Sequence, residues 1–329
     1  MRYLRKTWPA VALAISMAFI GAPTLAQEYP MKPVRLIVGF APGGPVDSAA
    51  RIIAANLQQQ MGQPFVVENK AGANAMIAAE YVKNAPPDGY TVFVSSSSAI
   101  TLNPTLYKSR VRYSPPDDFA PVANIIAMPL ILMVNDTDAE MKGVKSVGDI
   151  VTKAKSQPGK LAYGSAGNGN ITHLAFELMQ QRAAIQMIHI PYPGTAPAQA
   201  AILGKQVAMV FDSMNGIAHV KSGTLRPLAI SANRRIDALP DVPTMQELGF
   251  VDFDIKSWVG IFVPKGTPSA VVERLSKGIA EAMKDPSVRE KLLLQGPLMY
   301  LPPAEFGAMV KNETAQLAEI VDKAKIKID

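Results

Sequence analysis

Pro33-Val34-Arg35-Leu36-Ile37-Val38 is an almost continuous aliphatic run, Ala41-Pro42-Gly43-Gly44-Pro45 follows it, and over 47–60 the apolar residues Ala49, Ile52, Ile53 and Leu57, continued by Met61, recur at helical spacing. These pieces predict a strand, a turn and an amphipathic helix, with Gly62 placed to stop the helix. Outward from this unit the pattern repeats. A strand is expected over 65–68, a helix over 75–83, a turn at Pro86-Pro87-Asp88-Gly89 and a strand over 90–94. Five alternating elements before residue 95 indicate an α/β protein with a largely parallel sheet.

A second series begins after Pro115-Pro116-Asp117-Asp118. Strands are expected over 125–134, 160–163, 187–191 and 207–211, and helices over 147–155, 171–182 and 196–203. The strand over 226–231 is placed to return the chain to the first series. A strand over 258–263, helices over 269–283 and 287–294, and a charged amphipathic helix from about Pro303 complete the chain. This order fits an interrupted domain better than two consecutive ones: domain I over 27–126 plus 230–329, domain II inserted over 127–229. A chain of 329 residues, 48% hydrophobic and 18% charged, is long enough for two cores.

The first 26 residues read as an address. Arg2, Arg5 and Lys6 precede an apolar stretch that ends in Thr24-Leu25-Ala26, the order of a secretory signal peptide cleaved after Ala26. The apolar run is shorter than the roughly 20 residues needed to span a bilayer, and with no cysteine in the chain a lipid anchor there is excluded. A periplasmic, unanchored protein is expected. Removal of the leader leaves 30 basic residues against 27 acidic ones, too small an excess for a nucleic-acid surface.

Familiar catalytic signatures fail. The absence of cysteine removes thiolate metal sites and cysteine nucleophiles, and the three histidines show no ligand spacing, so no metal or cofactor is expected. Gly164-Ser165-Ala166-Gly167 is not G-x-S-x-G, and Thr172 stands where a dinucleotide loop needs its third glycine. What recurs is strand, small-residue loop, helix start: Ala41, Pro42, Gly43, Gly44, Pro45 and Asp47 in one; Ser97 in Val94-Ser95-Ser96-Ser97-Ser98-Ala99; Ser165, Ala166, Gly167, Asn168, Thr172 and His173 in a third. Free N–H groups at a helix start and the helix dipole favour an anion, and glycine lets the backbone come close. Two such loops, 41–47 and 165–170, are expected to hold a carboxylate. Ser97 and Thr172 are expected as hydroxyl contacts, Asp47 as a helix cap and loop brace, and Asp212 at the far end of the cleft.

The stretches Pro42-Gly43-Gly44-Pro45-Val46-Asp47, Val67-Glu68-Asn69-Lys70-Ala71-Gly72, Pro87-Asp88-Gly89-Tyr90-Thr91, Gly164-Ser165-Ala166-Gly167-Asn168-Gly169 and Leu239-Pro240-Asp241-Val242-Pro243-Thr244 resemble the Bug family of periplasmic solute receptors of tripartite tricarboxylate transporters. The resemblance implies a type II periplasmic-binding-protein fold, two α/β domains with a hinged ligand cleft. It also implies a monomeric, non-catalytic receptor that passes a small organic carboxylate to membrane permease subunits or presents its loaded form to a sensor kinase. Three departures stand out: Ala73-Asn74 where the family often has two glycines, Lys70 where arginine is commoner, and Pro193 where a lysine is usual. Met128 and Met214 are expected in the distal pocket. The competing readings are an exported serine hydrolase using Ser165 with His173 or His189, and a structural or adhesive surface protein.

Overall fold

The computed structural model describes residues 29–251 and 253–323, so the signal-peptide reading lies outside the described residues. Two sheets organise the chain, each with its own apolar cluster. The first has six strands in the order β11-β4-β10-β3-β1-β2, and the second five in the order β7-β6-β8-β5-β9. The strands are β1 Val34–Val38, β2 Phe65–Asn69, β3 Thr91–Ser96, β4 Phe119–Pro129, β5 Ile131–Asn135, β6 Ala162–Ser165, β7 Ile188–Pro191, β8 Met209–Asp212, β9 Leu225–Ile230, β10 Lys256–Pro264 and β11 Leu298–Leu301. Among helices of eight residues or more, α1 is Pro45–Met61, α2 Met76–Lys83, α3 Val147–Ser156, α4 Ile171–Ala183, α5 Thr195–Leu203, α6 Ser269–Ala282, α7 Pro286–Leu293 and α8 Pro303–Lys323. β1 pairs in parallel with β2 and β3, as the opening unit predicts. Gly62 ends α1 at φ 70° and returns its N–H to Gln58.

The apolar run expected as one strand over 125–134 is two strands in different sheets. β4 lies antiparallel to β10, β5 antiparallel to β8 and β9, and Leu130 alone joins them. The sequence carries no turn signal there because both sheets bury this segment: Ile125, Ile126, Ile131, Leu132, Met133 and Val134 are fully enclosed. The strand over 226–231 is also corrected in its role. β9 remains in the second sheet, and the chain returns to the first only at β10. Ser231 marks this second crossing, where its hydroxyl accepts from Leu130 N–H at 2.9 Å and donates to the Ile255 carbonyl.

Helix α8 spans both cores. Phe306 fills the space above Gly260, where an added methyl would lie 2.3 Å from its ring. Further along, Leu317 and Val321 join the cluster of the second sheet, as do Met245, Phe253 and Ile255 from the segment before β10.

Candidate functional site

A small cavity of mixed polar and apolar lining lies where the two sheets face each other. One wall is Phe40, Gly44, Pro45 and Val46 after β1, with Ser96 and Ser98 at the end of β3. The opposite wall is Ala166, Asn170, Ile171 and Thr172 after β6, with Thr195 and Ser213. Met128, Leu130 and Ser257 close it at the crossing strands. Strand order orients the cavity. β8 lies between β5 and β6, and β10 between β4 and β3, so Ser213, Ser257 and Leu130 form the hinge end. β1 lies beyond β3 and β7 beyond β6, so the starts of α1 and α5 form the outer end.

The two halves touch directly. Ala41 N–H donates to the Pro193 carbonyl at 3.2 Å, Asn74 donates to the Gly169 carbonyl at 3.0 Å, Asn170 donates to Asn74 Oδ1 at 2.9 Å, and Ile171 N–H reaches Ser98 Oγ at 3.1 Å.

The donors of the two expected loops are not equivalent. The start of α1 is capped by Gly44 with no side-chain hydrogen bond, and Pro45 supplies no N–H. Val46 and Asp47, in its first turn, therefore present N–H groups that lack an intrahelical acceptor. In the loop before α4 the donors are occupied: Ala166 N–H by Thr172 Oγ1, Gly167 N–H by Ser165 Oγ, Gly169 N–H by His173 Nδ1 and Thr172 N–H by Asn170 Oδ1. That loop is internally braced. A third helix start, α5, was not expected in the site. Gly194 caps it without a side-chain bond at φ 147°, and Thr195 lines the cavity. Its position beside the first loop is fixed by contact, since a methyl on Gly194 would lie 3.3 Å from Ala41 N. The sequence signal was the strand–Pro193-Gly194–helix pattern, the same device as Gly44-Pro45.

Of the residues expected in the site, Gly44, Pro45, Ala166 and Thr172 line the inner cavity, while Ala166, Gly167 and Asn168 line a separate vestibule with Tyr107, Arg110 and Tyr192. Ala41, Pro42, Gly43, Ser97, Ser165, His173 and Asp212 are not in the inner lining, and neither is Met214, whereas Met128 is. Ser97 turns away to share a 2.8 Å hydrogen bond with Ser257, so its neighbours Ser96 and Ser98 face the cavity. Asp47 is a brace but not the cap. Within the first turn of the helix, its carboxylate accepts from Gly43 N–H at 2.9 Å, from Asn69 at 2.9 Å and from Arg51 at 3.0 Å. Burial pushes its pKa upward, but these donors outweigh burial and hold it below the usual carboxylate range.

Ser165 and the histidines form a stack beneath the loop before α4, with Ser165 and His173 buried and His189 half-buried. Ser165 Oγ lies 2.6 Å from His189 Nε2, and the His189 ring stacks on His173 with centroids 3.7 Å apart. His173 Nε2 faces Glu177 at 3.5 Å, and Glu177 also accepts from Tyr163 at 2.8 Å. Burial and the neighbouring His173 push His189 down to about 4. The carboxylate thus reaches the histidine that does not touch the serine. Ser165 is 1% exposed, which makes it a strut for Gly167 rather than a presented nucleophile. Asp212, also 1% exposed, accepts from Gln199 at 2.8 Å and from Ser213 N–H at 2.7 Å; burial pushes it up to about 6.

Two facing α/β halves, joined by crossing strands and closed over a cavity at strand ends, define a type II periplasmic-binding protein. The comparisons narrow this to a family. Residues 49–325 match the tripartite tricarboxylate transporter family receptor. The chain is 35% identical to Protein BugT of Bordetella pertussis over 97% of each chain. It is also similar to the solved periplasmic binding protein BugD, with 32% identity, a TM-score of 0.85 and coverage of 91% of this chain and 99% of that one. MatC from Rhodopseudomonas palustris, solved with bound malate, aligns at 29% identity with a TM-score of 0.82, covering 89% of this chain and all of the other. The chain belongs to this family of periplasmic solute receptors, the Bug receptors of tripartite tricarboxylate transporters. No helix among the described residues is long and apolar enough to cross a membrane.

Proposed function

We propose that this protein, exported and freed of residues 1–26, captures a small organic carboxylate between its two halves and delivers it, as a monomer, to the permease subunits of a tripartite transporter. One observation carries the reading: two uncapped helix starts, α1 and α5, meet at the outer end of a cavity whose lining contains no charged side chain. Orphan N–H groups and helix dipoles suit a carboxylate, each hydrogen bond to a charged group being worth about 1.5–3 kcal/mol, and they release it more readily than a buried ion pair would. The bound malate of MatC supports the same ligand chemistry. The moving halves follow the expected domain I, 27–126 plus 230–329, and domain II, 127–229, except that 127–129 move with the first sheet and 232–255 with the second; the hinge lies near Leu130 and Ser231, and the end of α8 packs on the second core.

Thermal-shift measurements against aliphatic and aromatic carboxylates test this. A true ligand at a hundredfold excess over Kd adds about 2.7 kcal/mol of stability. Recovery of the acid unchanged after incubation is the expected outcome. Hydrolysis of an ester of the same acid to the acid and alcohol, lost in Ser165→Ala, would instead favour a hydrolase built on Ser165.

A further inference from the structure

The hinge end of the cavity differs in chemistry from the outer end. Ser213 follows β8 directly, is 3% exposed and lines the cavity, and among the described residues its hydroxyl has no partner but the neighbouring Asp212 carboxylate, whose charge it favours. With its proton directed to Asp212, the hydroxyl keeps its oxygen as an acceptor, and at a cavity wall a ligand donor completes it. Behind Ser213 stands Asp212. Its carboxylate is held by Gln199, by Ser213 N–H and by the Ser213 hydroxyl, and no Lys, Arg or His pairs with it among the described residues. Two consequences follow. The Ser213 N–H, which would otherwise serve an anion, is already taken. The field at this end is negative, because a carboxylate with a pKa near 6 is mostly ionised at neutral pH. Ser257, the other hydroxyl at this end, is tied to Ser97 at 2.8 Å. Met128 and Leu130 make the rest of the wall apolar.

We propose that the ligand is a short monocarboxylic acid whose second end carries a hydrogen-bond donor, a hydroxyl or an ammonium, set against Ser213 at the hinge end, and that Asp212 rejects a second carboxylate there. This rests on the carboxylate reading of the outer end and specifies what the other end recognises. A donor at that end shares its proton with the free Ser213 oxygen and is drawn toward the Asp212 charge, whereas a second carboxylate meets no cation and a like charge one residue away. The selectivity is therefore negative as well as positive.

Calorimetry at pH 7.5 on the intact mature protein decides it, with matched acids of four and six carbons: the plain monocarboxylate, its ω-hydroxy and ω-amino derivatives, and the α,ω-diacid. One donor-bearing acid is expected to bind at least tenfold tighter than the diacid of its own length, and the comparison of hydroxyl with ammonium identifies the donor. Ser213→Ala is expected to cost that acid about tenfold while the plain monocarboxylate changes less than twofold. Asp212→Asn, which keeps the shape and removes the charge, is expected to strengthen diacid binding relative to wild type. A diacid that binds wild type as tightly as the donor-bearing acids, or indifference of the preferred acid to Ser213→Ala in a protein with wild-type circular dichroism, would overturn the proposal and leave the carboxylate reading standing. Failure of all eight acids to bind would count against the carboxylate reading, and this proposal would fall with it.

Discussion

At the scale of single residues, the site is governed by where a side chain has no room. Gly169 sits at φ 66°, and an added methyl would lie 2.4 Å from the Tyr107 ring across the cleft. Gly169→Ala is expected to weaken ligand binding about tenfold by holding the halves apart, and Tyr107→Ala in the same protein to restore part of the loss; calorimetry on the single and double variants checks this. The histidine stack sets a pH dependence. His189 titrates near 4 in the folded protein, below its ordinary 6.5, so the unfolded chain takes up its proton first as pH falls. Its contribution to stability is complete above pH 6.5 and is lost progressively toward pH 4. The Tm of wild type minus that of His189→Gln is expected to shrink from pH 7.5 to 4.5. Asp212 and Glu313, raised to about 6 and about 7, push in the opposite direction but are common to both proteins and cancel in the difference. A difference independent of pH would show that the stack does not carry the titration.

At the scale of elements, the strand–turn–helix units were legible because local chemistry dictates them. Gly62 takes the left-handed position after α1, and Ser146 caps α3 through its hydroxyl. The break inside 125–134 was not legible, since both sides of Leu130 are buried and nothing polar announces the change of sheet. The facing of Ser96 and Ser98 was equally hidden, because the strand end runs into a wide helical turn at Ser98–Leu102 that turns Ser97 aside. The charge of Asp212 was readable; that it stands behind Ser213 rather than in the lining depends on long-range packing. The Ala73-Asn74 departure, by contrast, has a clear structural meaning. Ala73, Asn74 and Ala75 are all at positive φ, 45°, 50° and 68°, a conformation that disfavours any side chain. Asn74 is retained by its bonds to Asn103, Gly169 and Asn170. Ala73 has no such compensation, so Ala73→Gly is expected to raise stability by about 0.5–1 kcal/mol in urea denaturation, the relief of strain exceeding the added freedom of the unfolded chain. A loss of stability would contradict the strained reading of this segment.

At the scale of the molecule, the fold places two uncapped helix starts from opposite halves at one end of a cavity with no charged lining, and the proposed function makes binding and closure one event. A ligand that bridges α1 and α5 favours the closed arrangement only by its contacts with both. The loop before α4, braced by Ser165, His173 and Thr172, keeps its own donors occupied and supplies shape rather than charge complementarity. Recognition of one carboxylate by backbone N–H groups is therefore the property on which receptor function rests. The direct measurement is calorimetry at pH 7.5 comparing the tightest-binding acid of the four- and six-carbon set with its primary amide, which is nearly the same size but neutral and carries an NH2 donor in place of one acceptor oxygen. The predicted result is an affinity for the acid at least a hundredfold greater than for the amide; equal affinities would contradict the account.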